Sequence, residues 1–145
     1  VIDREAIYAA LWALASAAAN FATTSRRVRH WADVTPAEQP CLIMEELRET
    51  GEIKALGAPT VWKLSADLGI YVHSSDPYVS PSTKLNPLID AVEAALAPSP
   101  VTGILNLGMP GVVQHAYIAG EIQKTPGVDG DQAVAIIPVE ILCIG

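Results

Sequence analysis

The chain has 145 residues, half of them apolar and only 17% charged, with a formal net charge of −7. That length suits one domain over residues 1–145 with its own core, and the acidic balance argues against binding nucleic acid by bulk charge. Two cysteines exclude a disulfide framework, so Cys41 and Cys143 read as free thiols.

The first element is a helix over residues 3–19, with Ile7, Leu11, Leu14 and Ala18 on one face of a 3.6-residue period. Asp3 and Glu5 lie at its start, where the helix dipole favours negative charge. Residues 8–22 look like a signal-peptide core, but Asp3, Arg4 and Glu5 give their flank no net positive charge. The stretch is also too short to span a bilayer, so a cytosolic protein with no membrane association is expected.

Residues 21–29 read as a strand, followed by a loop to Pro40 and a second strand over residues 41–48. The glycines and charges of residues 49–59 suggest a loop. Residues 60–73 give the clearest pattern. Trp62, Leu64, Ala66, Leu68, Ile70 and Val72 fall on one face, and Lys63, Ser65, Asp67, Tyr71 and His73 on the other. Such alternation predicts an antiparallel strand with one buried and one wet face. If Trp62 is fully buried there, its loss costs roughly 3–5 kcal/mol.

A Ser/Pro loop precedes a second helix over residues 86–97. Leu85, Leu88, Ile89, Val92 and Leu96 form its apolar stripe, with Asn86 as N-cap and Pro87 at the first helical position. Residues 112–123 and 133–144 are the last strands, with a hairpin loop over residues 125–131. Pro138 cannot donate to a ladder, so the final strand is expected at an edge or at a bulge. The order α-β-β-β-α-β-β predicts an α+β fold: a mainly antiparallel sheet of about five strands, two helices on one face and polar side chains on the other.

Charge is segregated along the chain. Residues 1–31 carry four basic and two acidic side chains, whereas residues 32–145 carry five and fourteen. Arg26, Arg27 and Arg29 lie within four positions, followed by His30 and Trp31. An acidic run, Glu45, Glu46, Glu49 and Glu52, follows. Lopsided surfaces of this kind commonly face a partner, although a solvated turn and a solvated strand end account for the same residues.

Motifs for chemistry are lacking. His30, His73 and His115 have no second ligand at helix spacing, so no metal or cofactor is expected. Ser16 and Ser25 lack a nucleophile setting, and Cys143 sits in an apolar strand as an inert thiol. Gly103, Gly108 and Gly111 have turn spacing, without the Lys-Ser/Thr of a phosphate loop. Asp67 beside Lys63 and Tyr71 reads as polar surface. No catalytic residue is expected.

Several segments together carry a resemblance: SRRVRHW (25–31) after the Ala-rich helix, PAEQP (36–40) before an apolar strand, and the Trp62 strand ending in Tyr71-Val72-His73. The helix LNPLIDAVEAAL (85–96) and the closing GDQAVAIIPVEI (130–141) complete it. The chain resembles the tail terminator, or tail-completion, proteins of long-tailed bacteriophages, except over residues 45–59 and 99–111.

The resemblance implies a hexameric ring at the tail–neck junction of a virion, made in the bacterial host cytoplasm. Such a ring caps the tail tube, stops its polymerisation and presents a surface to the head–tail connector or stopper protein. The partners implied are further copies of the chain, the tube protein and the connector, with DNA passing the lumen unbound. Arg26, Arg27, Arg29, His30 and Trp31 on one copy, meeting Glu45, Glu46, Glu49 and Glu52 on the next, are the candidate interface. Charge reversal at Arg27 and Arg29 together is then expected to block assembly and spare the fold. The alternatives are another head–tail joining component, or a nucleic-acid-binding module that uses the arginine strip.

Overall fold

The computed structural model describes residues 1–126 and 131–145. Helix α1 spans Arg4–Ser16. Asp3 caps it, its carboxylate accepting the Ala6 N–H at 3.0 Å. Ile7, Tyr8, Leu11 and Ala15 make the buried stripe. Beyond Ala15 no large apolar residue continues that stripe. The Ala18 N–H turns back to the Ala15 carbonyl in a tighter three-residue closure, and the helix ends short of the expected Ala19.

Strand β1 is only Thr23–Ser25, paired in parallel with the start of β2, Cys41–Ile53. The predicted strand over residues 21–29 is thus cut short. Ser25 Oγ accepts the Arg27 N–H at 3.1 Å, a side-chain turn that leads the backbone off the sheet and leaves the arginines in a loop. β2 in turn runs to Ile53, so Glu49 and Glu52 lie in a strand where a loop was expected. β3, Thr60–His73, has its predicted bounds and pairs antiparallel with β2 across a bulge between Glu46 and Glu49.

Helix α2 is Ser82–Ala95, four residues earlier at its start than predicted. The Lys84 and Leu85 N–H groups both reach the Pro81 carbonyl, which brings Leu85 into the buried stripe with Ile89 and Val92. Asn86 is therefore not the N-cap, and Pro87 lies in the second turn on the exposed side. The predicted strand over residues 112–123 is two: β4, Val113–Ile118, and β5, Gln123–Pro126. Thr125 and Pro126 belong to β5, and residues 127–130 of the expected hairpin loop lie outside the described residues.

β6, Gln132–Ile144, is not an edge strand. The sheet order is β1-β2-β3-β6-β4, and β5 also pairs with β6. Pro138 survives in its interior because β4 ends and β5 begins beside it. Its carbonyl accepts the Ala119 N–H at 2.9 Å, so the missing Pro N–H faces the residues just past the end of β4 and the ladder to β3 is kept.

The α+β prediction holds: six strands, antiparallel except for β1, with both helices sharing one core against the same sheet face. From β3, Leu64, Ala66, Leu68, Ile70 and Val72 enter that core, and from β6 Ile137, Val139, Ile141 and Cys143. Burial pushes the Cys143 thiol up to about 11, as befits an inert core cysteine.

The opposite face departs from the wet, polar expectation. At one end Cys41, Ile43 and Tyr71 are buried beneath Val34, with Trp31 packed alongside. Residues 31–40, which include 3-10 turns at Trp31–Asp33 and Pro36–Glu38, provide that cover. Gly69 makes room for it, since a Cβ there would lie 2.9 Å from Ile43.

Candidate assembly surfaces

The arginine strip and the acidic run, far apart in sequence, meet within one chain. The Arg26 guanidinium reaches Glu5 at 2.5 Å and Glu46 at 3.2 Å. Arg4 reaches Glu49 at 2.5 Å, and the Tyr8 hydroxyl donates to the same carboxylate at 3.2 Å. α1 is thereby fastened across the helix-side face of β2. The arginine depresses the Glu5 carboxyl below its ordinary range, and burial followed by the Glu49 charge raises the Tyr8 phenol.

Arg29 serves a different purpose. It pairs with Glu38 and donates to the Asp33 carbonyl at 3.0 Å, while its own carbonyl accepts the Tyr71 hydroxyl at 2.7 Å. Hydrogen bonds from Arg29, then from Thr35, hold Glu38 down to about 2. These bonds pin residues 29–38 over the Tyr71 end of the sheet.

Arg27 is exposed, without an ion-pair partner among the described residues, next to a half-exposed Val28. His30 is exposed, its Nδ1 accepting the Ala32 N–H at 3.1 Å. Trp31 stacks loosely on it, with ring centroids 5.2 Å apart, and otherwise packs into the Val34 cluster. Glu52 pairs with Lys54 at 2.7 Å, on the exposed end of β2. Glu45 lies opposite Asp67 on the face away from the helices. Burial, then the Glu45 charge, raises the Asp67 carboxyl.

Two features escaped sequence reasoning. The first is the free edge of β2. β1 covers only Cys41, Leu42 and Ile43, so the outer side of residues 44–53 lacks a strand partner among the described residues. All of residues 45–53 are exposed, Leu47 and Ile53 included. A long bare edge is a template for pairing with another chain. The opposite edge is covered in part: Leu105 accepts the Ala116 N–H at 2.8 Å and donates to His115 Nδ1 at 3.0 Å.

The second is the setting of Trp62. It is half-buried, under the Arg4 guanidinium at 4.8 Å from the ring centroid, rather than enclosed in the core. Gly51 opposite leaves room for the ring, where a Cβ would come within 2.9 Å. The alternation placed Trp62 on the correct face, but β2 and β3 outrun the helices that cover their middle.

Among the described residues, no three His, Cys, Asp or Glu side chains gather as a metal site. No described helix is long and apolar enough to cross a membrane.

No protein-family model matches the sequence, and no curated protein matches it. Among solved structures, the fold is similar to a chain from the virion of a native gene transfer agent (GTA) particle. The TM-score is 0.52 at 11% identity, covering 93% of this chain and 84% of that one. At such identity the likeness is one of fold, and it spans the helices and the sheet together.

Proposed function

We propose that this chain is a structural subunit of a phage-like virion and, more finely, its tail terminator: a hexameric ring that caps the tail tube and joins it to the head–neck connector. The observation that carries the reading is the fold shared with the GTA virion chain over 93% of the length. The segment-by-segment resemblance to tail terminators supports the finer assignment. The protein acts by shape, with no reaction and no cofactor. Its net charge of −7 repels phosphate, as suits a lumen through which DNA slides.

A closed ring needs heterologous contacts, in which two different surfaces of the subunit match each other. The exposed far half of β2, with the turn that follows it, offers one such surface. Because Arg26 and Arg29 are engaged within the chain, Arg27 is the arginine of the strip left for a neighbour, beside the exposed His30. Reversing Arg29 also removes the Glu38 pairing, so Arg27→Glu alone is the cleaner variant. Native mass spectrometry of the purified protein, alone and mixed with isolated tail tubes, tests the reading. Rings on the tube ends support it. A protein that stays monomeric at high concentration and binds no tube end refutes it.

A further inference from the structure

The two ends of β3 carry unlike features that match one another. At the Thr60 end, residues 54–59 join β2 to β3, and Leu56 there is fully exposed while Ile53 beside them is 64% exposed. At the His73 end, residues 36–40, β3 and α2 enclose an open cleft of about 370 Å³. Pro36, Pro40, Val72 and Leu88 give it apolar walls, and Lys84 and His73 are its only ionisable lining residues among those described. No carboxylate lines it among the described residues, so the cleft favours an apolar side chain accompanied by negative charge.

Gln39 fixes one wall. It lines the cleft and is buried, its Nε2 donating to the Val34 carbonyl at 3.1 Å. Its Oε1 has no partner among the described residues. That oxygen is itself enclosed, so what Gln39 offers the cleft is a fixed wall held to Val34.

We propose that within the ring the β2–β3 turn, residues 54–59, of one copy seats in this cleft on the next copy, with Leu56 against Leu88 and Val72 and with Glu52 beside Lys84. The inference rests on the ring reading and names its contact. Among the described residues Glu52 is held only by the exposed Lys54 pair, and Lys84 only by the His73 carbonyl at 3.3 Å, so both charges can be drawn to a partner. The turn and the cleft sit at opposite ends of a strand roughly 45 Å long at about 3.3 Å per residue. One copy therefore cannot satisfy itself, and the contact is head-to-tail, as ring closure requires.

The test is the dissociation constant of self-association of the full chain, by sedimentation and native mass spectrometry, on tube ends if rings form only there. Leu56→Asp changes an exposed side chain, spares the fold by circular dichroism, and is expected to abolish rings. Glu52→Lys and Lys84→Glu each place like charges together and are expected to weaken association about tenfold. The double swap is expected to restore it to within about threefold. Wild-type rings with an undisturbed Leu56→Asp ring, or a double swap without rescue, overturn this contact and leave the ring standing. A wild-type chain that never self-associates overturns both.

Discussion

The first four residues of β2 and the last nine share one strand and one ladder but not one environment. Cys41, Leu42, Ile43 and Met44 are all buried, whereas every residue from 45 to 53 is exposed. The near half has β1 on its outer side, helices over Leu42 and Met44, and residues 31–40 over Cys41 and Ile43. The far half has only β3 beside it, with α1 reaching over through Arg4 and Tyr8 to Glu49. Backbone pairing to β3 is common to both halves, so burial separates them. Fold stability resides in the near half. The far half contributes little of it and is left free to meet another chain.

Side-chain truncation on either side of the divide should separate the two halves of β2 most widely. Met44 in the near half is fully buried, and Met44→Ala is expected to cost about 2–5 kcal/mol in denaturant unfolding. Leu47→Ala, in the far half, is expected to stay within about 0.5 kcal/mol. Comparable losses at the two sites contradict the division.

Trp62 sits between these extremes. Its half-burial beneath Arg4 sets the expected cost of Trp62→Ala at about 2 kcal/mol, below the roughly 3–5 kcal/mol of an enclosed aromatic. Smaller still is the Arg26–Glu46 pair, which is partly exposed. A double-mutant cycle there is expected to give under about 1 kcal/mol of coupling.

The smallest expected effect is a titration. The folded-state value of Glu38, about 2, lies below the ordinary 4.5. A depressed carboxyl contributes stability that is fully present above 4.5 and is lost as pH falls through about 2. NMR is therefore expected to show residues 29–38 docked at pH 5 and loosening progressively below 4.5, with Glu38→Gln removing that dependence. A wild-type segment that loosens above pH 5 contradicts the clamp.

Legibility in the sequence followed the same divide. The bounds of β3 and the stripe of α2 were readable because buried side chains recur at fixed periods, as from Leu64 to Val72, whereas α1 buries Tyr8 and Ala15 in place of the expected Leu14 and Ala18. The boundaries that failed were set by contacts periodicity does not encode. A single Ser25 hydroxyl ends β1, and the Pro81 carbonyl starts α2 four residues early. Pro138 is tolerated in an interior strand only because the neighbouring strand breaks beside it. For the candidate interface, the sequence segregated the charges correctly but could not show that Arg26 reaches Glu46 in its own chain. Nor could it show the bare β2 edge, since the edge exists only because β1 stops early.

The most direct test of the virion reading is electron cryo-tomography of particles whose copy of this chain carries a small dense tag. The account predicts one ring of tag density per particle, at the tail end nearest the head, and headless tails of unregulated length when the chain is removed. Tag density spread along the tube, or particles that assemble normally without the chain, would contradict it.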